Sequence, residues 1–142
     1  MGWHEYLVER LRTLRPDSIC ALDAAARQLA STLPFAALVD AAASAASPCS
    51  VALGIDALSG LDARQAEQLI GRVRTYAAPR LLLVAQPDCA LDAAAFRALG
   101  FMLVLTDPAA DVRIHEYDLD TYKTVPDWLN ARFWAHPERW DA

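Results

Sequence analysis

The chain has 142 residues, 55% hydrophobic and 22% charged, with 13 lysines and arginines against 18 acids and a net charge of −5. Such a chain is one domain, 1–142, able to bury its own core; intrinsic disorder, a collagen-like fibre and a highly charged tail are excluded. The acidic balance also argues against nucleic acid as a partner, because phosphate-backbone binders need clustered positive charge.

Trp3, Leu7, Leu11 and Leu14, with Val8 beside them, recur at steps of three and four, while Glu5, Glu9, Arg10 and Arg12 fall mainly on the other side. That spacing predicts an amphipathic helix, and Pro16 ends it by biasing Arg15 away from helical angles. A short apolar strand over 18–22 and an alanine-rich helix over 24–33, capped by Asp23, follow. A second short strand is expected at 35–39, ending at Asp40. The small, featureless stretch 41–50 reads as either helix or loop.

The apolar run 50–55 ends in Asp56, and Asp62 is the expected N-cap of a helix over 63–76. Ala66, Leu69, Ile70 and Val73 form its buried stripe, with Arg64, Glu67, Arg72 and Arg74 in water. Residues 80–85 carry five successive apolar side chains without alternation, which implies a central parallel strand buried on both faces. Asp92 caps a short helix through Leu99, with Ala95, Phe96 and Leu99 inward and Gly100 at the left-handed position that ends helices. Strands at 101–105 and 112–119, joined by a turn around Pro108, should pair antiparallel. This order predicts an α/β three-layer sandwich on a mixed sheet, mostly parallel with an antiparallel C-terminal pair.

From 50 to 119 the arrangement resembles the second half of class I S-adenosylmethionine-dependent methyltransferases. The shared pattern is a strand closing on G-I-D (54–56), a helix, the strand R-L-L-L-V, a short helix ending in L-G-F, and a closing antiparallel hairpin. The resemblance implies a Rossmann-like sheet. In that family the cofactor sits on a glycine-rich turn after the first strand, because bare backbone lets the ligand approach. Here S-I-C-A-L-D runs straight into Ala24, Ala25, Ala26 and Arg27, whose added Cβ atoms would crowd the methionine moiety. Asp40, 17 residues after Asp23, stands where the family places its ribose-binding acid, yet only 16 residues then lead to Asp56. That is too short for the strand and helix normally found between them. The resemblance thus implies a truncated methyltransferase-like domain that has lost one βα unit and, with it, the cofactor. If the cofactor is kept, Asp23, Asp40 and Asp56 are its expected binding residues, since all three lie at the carboxyl ends of strands, where open α/β sheets place ligands. The protein would then be a small S-adenosylmethionine-dependent methyltransferase or a nucleotide-binding enzyme. The plainer roles are helix capping for Asp23 and solvation for the other two.

The stretch T-Y-K-T-V-P-D-W-L-N-A-R-F-W-A-H-P-E-R-W-D resembles the ending of a family of small bacterial proteins of unknown function, which close on a Y-K-x-x-P-D-W-L-N, W-A-x-P-E, W pattern. The last 26 residues hold six of the twelve aromatics: Tyr117, Tyr122, Trp128, Phe133, Trp134 and Trp140. Pro126 and Asp127 suit the first turn of a helix, and Leu129 and Phe133 fall one turn apart on one face. The rings either pack over the sheet edge or the Trp3 helix, each removing about 150–250 Å² from water, or form a surface for a partner. In the second case Trp128, Phe133, Trp134 and Trp140 are the interface anchors. The expected function is a binding or assembly module without a cofactor, joining a protein partner or a second copy as a homodimer through the aromatic tail, 120–142.

Other constellations carry less. Glu116, Asp118 and Asp120 would share one strand face with His115 on the other, so solvated acids or partners for arginine are expected rather than a common metal. His4 and His136 meet only if the chain ends approach. Ser59 lacks the glycine two positions before it that a nucleophile elbow needs, and Lys123, the one lysine, reads as a solvated loop residue. Cys20, Cys49 and Cys89 are too few and too widely spaced for a disulfide framework or a C-x-x-C metal site, so inert buried thiols are expected. M-G-W-H-E-Y lacks the basic-then-apolar order of a secretion signal, and no uncharged apolar run reaches the roughly 18–20 residues of a bilayer span. A soluble, cytoplasmic protein without membrane partners is expected.

Overall fold

The computed structural model describes residues 2–34, 37–40 and 49–119. Helix α1 (Trp3–Leu14) buries Leu7 and Leu11 completely. It stops before Pro16, where Arg15 adopts a left-handed conformation (φ 44°, ψ 58°) and donates its N–H to the Leu11 carbonyl at 2.9 Å. Strand β1 (Ser18–Ala21) leads to helix α2 (Ala24–Ala30), capped by the Asp23 carboxylate on the N–H of Ala26. The expected helix ran three residues further. The Ser31 and Thr32 hydroxyls donate back to the carbonyls of Gln28 and Leu29, each at 2.7 Å, a local alternative that ends helical pairing.

Strand β2 (Ala37–Asp40) overlaps the expected strand; the remainder of that expectation, 35–36, and most of the helix-or-loop stretch, 41–48, lie outside the described residues. Strand β3 (Val51–Gly54) is buried throughout. Helix α3 (Ala63–Arg72) opens with a reciprocal capping box: the Asp62 carboxylate accepts from Gln65 N at 2.7 Å, and the Gln65 side chain accepts from Asp62 N at 3.1 Å. Its continuation widens into a π-helical turn over Val73–Ala77, closed by the Ala78 N–H on the Val73 carbonyl at 3.2 Å. Arg74, expected in water, is instead half-buried. Its guanidinium donates to the Leu99 carbonyl and lies 5.0 Å from the centre of the Tyr117 ring, satisfying a helix-end acceptor that would otherwise be orphaned.

Strand β4 (Arg80–Ala85), helix α4 (Ala93–Ala98) and strands β5 (Met102–Asp107) and β6 (Val112–Asp118) complete the described chain. Gly100, at φ +95°, takes the left-handed position that ends α4. The six strands form one sheet in the order β2-β1-β3-β4-β6-β5. The first four are parallel; β6 runs antiparallel between β4 and β5.

Alternate residues of the central strands feed two separate cores, which is why β4 shows no polar face. Leu82 and Val84 pack with Ile19, Leu53 and Ile114 beneath α1 and α2; Leu81 and Leu83 pack with Cys20, Ala52 and Phe96 beneath α3 and α4. The expected sandwich, two helical layers enclosing a mixed α/β sheet, is the architecture observed.

Candidate functional site

At the carboxyl end of the parallel strands the chain leaves β1 for β2 on one side and later returns to β3 on the other. Such a reversal opens the crevice where α/β sheets usually hold ligands. Here it is filled by the protein's own groups. Besides capping α2 at 2.8 Å, the Asp23 carboxylate accepts the N–H groups of Ile55 at 2.8 Å and Asp56 at 3.0 Å, tying the start of α2 to the end of β3. Gly54 sits so close to its neighbours that a Cβ there would stand 2.8 Å from Leu83 Cδ2 and 3.1 Å from Ala57 Cβ. Asp56 is exposed, with Gln86 Nε2 donating to its carboxylate at 3.3 Å. Asp40 pairs in register with Ala21 at this same end of the sheet, but its side chain lies outside the description. Of the three strand-end aspartates, the structure links Asp23 to the backbone of Asp56. Beside them a groove of about 430 Å³ runs between α1 and α2, lined by Trp3, Ala25, Leu29 and Ile55.

A different constellation occupies the opposite end. Glu116 on β6, only 8% exposed, is gripped from two sides: Arg10 of α1 donates Nε and Nη2 to its two oxygens, each at 2.9 Å, and Arg80 at the head of β4 donates Nη1. Arg80 Nη2 reaches Asp118 at 2.8 Å. These four side chains line a cleft of about 380 Å³ with Tyr6, Gly100, Met102 and Val104. Burial, reinforced by Glu116 and opposed by Arg10, raises the Tyr6 phenol above its ordinary pKa, so it stays a proton donor at neutral pH. The Arg10 pKa is raised by its hydrogen bond to Glu116, against the effect of burial.

Sequence spacing placed Glu116 and Asp118 together as arginine partners, with His115 on the opposite face, and the structure bears this out. Asp120 lies outside the described residues. His115 is 1% exposed and stacks on Phe96 with ring centres 3.9 Å apart and planes 7° from parallel; its Nε2 has no hydrogen-bond partner among the described residues. Burial, with the nearby Arg113 cation adding to it, lowers its pKa to about 4. Sequence reasoning missed Tyr6, Arg10 and Arg80, having assigned Arg10 to the wet side of α1. The available signal was an arginine heading an otherwise apolar strand and a second one turn after Tyr6, each able to face the acids of β6.

Burial, with Cys20 nearby, pushes the Cys49 thiol up to about 11, and burial also raises Cys89, so these two stay protonated at neutral pH. The Ser59 hydroxyl donates to Asp88 at 3.2 Å. Lys123, His136 and the anchors Trp128, Phe133, Trp134 and Trp140 lie outside the described residues. Among the described residues no group of three or more His, Cys, Asp or Glu side chains is arranged to hold a metal ion, and no helix is long and apolar enough to cross a membrane.

The fold and its two ends define an α/β protein built on one mixed sheet, with an ionic cleft under the antiparallel strands. The chain belongs to a family of unknown function (DUF6231), which matches residues 2–142 and so takes in the C-terminal pattern. No curated protein and no solved structure matches it.

Proposed function

We propose that the protein is a methyltransferase-like domain that works without S-adenosylmethionine, as a cytoplasmic binding or assembly module. The observation carrying this reading is the Asp23 carboxylate, which already accepts the N–H groups of Ala26, Ile55 and Asp56. An ionised carboxylate offers only about four acceptor sites. A ribose placing both of its hydroxyls on this carboxylate would have to displace one of those three bonds, beside a turn that carries the Cβ atoms of Ala24, Ala25 and Ala26. The insertion of β6 between β4 and β5 supports the likeness of fold, and the ionic cleft supplies a separate place for a ligand.

Calorimetric titration of the full chain with S-adenosylmethionine and S-adenosylhomocysteine tests the reading. No saturable heat is expected at ligand concentrations of about 1 mM, and a micromolar Kd would defeat it. The assembly part rests on the aromatic C-terminus: replacing Trp128, Trp134 and Trp140 together by serine should lower the mass measured by light scattering, and an unchanged mass removes that part. A second reading, a small methyltransferase or nucleotide-binding enzyme, is favoured only by the groove beside Ile55 at the strand ends.

A further inference from the structure

We propose that the cleft at the amino end of the parallel strands binds a small monocarboxylate with an apolar body, its head on Arg10, Arg80 and Tyr6 and its body along Met102 and Val104. The assignment rests on the binding-module reading and names the ligand class of that module.

The hydrogen-bond inventory points to an acceptor. Each guanidinium has five N–H donors; among the described residues Arg10 spends two on Glu116, and Arg80 spends one on Glu116 and one on Asp118, leaving three on each. The Tyr6 hydroxyl has no partner among the described residues. Side chains whose donors lack acceptors among the described residues therefore line one cleft of about 380 Å³. Glu116 already receives three bonds and acts as a positioning residue, locking both planar forks in place from behind. A carboxylate matches the flat, bidentate face of such a fork.

Charge sets the valence of the ligand. The two guanidinium charges are offset by Glu116 and Asp118, so the quartet is neutral and offers no net attraction that would favour a dianion over a monoanion. The apolar wall sets the rest. Met102 is 64% exposed on the edge strand and lines the cleft with Val104 and Gly100, an apolar surface that a hydrocarbon body would cover.

The test is titration of the full-length protein with hexanoate, followed by calorimetry and by the NMR signal of the Arg10 Nε–H, with hexanamide and hexyl phosphate as comparison ligands. Hexanoate should saturate with a Kd of about 1 mM, and both comparison ligands should bind at least about tenfold more weakly. Tyr6→Phe should weaken hexanoate about three- to tenfold without moving the melting temperature, which a merely structural phenol would not do. Met102→Glu, at an exposed position that folding tolerates, should abolish saturation. Hexanoate that fails to saturate by about 20 mM, hexanamide or hexyl phosphate binding as well as hexanoate, or a Met102→Glu protein that binds normally would each overturn the assignment. Micromolar S-adenosylmethionine binding with hexanoate binding intact would defeat the module reading alone; lost hexanoate binding with no cofactor binding would defeat only the cleft.

Discussion

The two ends of the sheet each centre on one carboxylate, and they use it in opposite ways. Asp23 accepts backbone N–H groups that have no other partner among the described residues, so its bonds are taken up in capping α2 and tying it to the end of β3. Glu116 is surrounded by guanidiniums that have donors to spare, so the same kind of bond leaves hydrogen-bonding capacity facing outward. A carboxylate met by backbone closes a site, whereas one met by arginine builds one. At the end of the sheet where α/β proteins usually hold ligands, the Asp23 turn is thus occupied by the chain's own bonds, and the groove there runs beside it, along Trp3, Ala25 and Leu29.

The sharpest way to break this contrast is at Glu116. Glu116→Ala strands two partly buried guanidiniums, and urea denaturation should show a loss of about 3–4 kcal/mol; a loss under 1 kcal/mol would mean that the quartet is only a solvated surface. Next comes the opposite face of β6. His115 is held near a pKa of about 4 against 6.5 in an unfolded chain, so its neutral form is favoured by folding. The stability this contributes is complete above pH 6.5 and disappears as pH falls toward 4, a swing of about 3 kcal/mol. His115→Phe should flatten that stretch of the stability curve, and a variant curve parallel to the wild type would refute the buried-histidine account.

At the other end of the sheet, Asp23→Ala removes a helix cap and leaves the N–H groups of Ile55 and Asp56 without their acceptor. A cost of about 2 kcal/mol is expected from thermal unfolding. If the variant also gained cofactor binding, Asp23 would be a plug as well as a clasp. The smallest effect is at Gly54, where Gly54→Ala pushes a methyl against Leu83 and Ala57. Because the Leu83 side chain can turn partly aside, about 1–2 kcal/mol is expected, and a neutral result would show that the strand ends are looser than their contacts indicate.

Much of the fold was legible in the sequence because its signals are local. Asp23, Asp62 and Asp92 each precede an apolar helical period and each caps the helix expected of it. Arg80 to Ala85 read as doubly buried because nothing polar interrupts it, and that is where the two cores meet. What escaped depends on contacts across long chain separations. Arg10 lies beside the apolar stripe of α1 and is drawn under the sheet only by Glu116, 106 residues away. Arg74 leaves the solvent because α4 ends within its reach. The site was therefore half visible: the acids of β6 were placed on the correct face, while the cations that give them meaning came from elements that periodicity had assigned to water.

The position of β6 has a consequence for how the chain is made. β5 emerges from synthesis before β6 does, yet in the described sheet β6 is its only strand partner, and β4 likewise keeps an open edge until β6 arrives. The strand that completes the sheet is thus the last of the six to be translated, and it must slide between two that are already waiting. A chain that has emerged only as far as the turn between Asp107 and Val112 exposes two hydrophobic strand edges at once, which makes that stage of assembly vulnerable to aggregation.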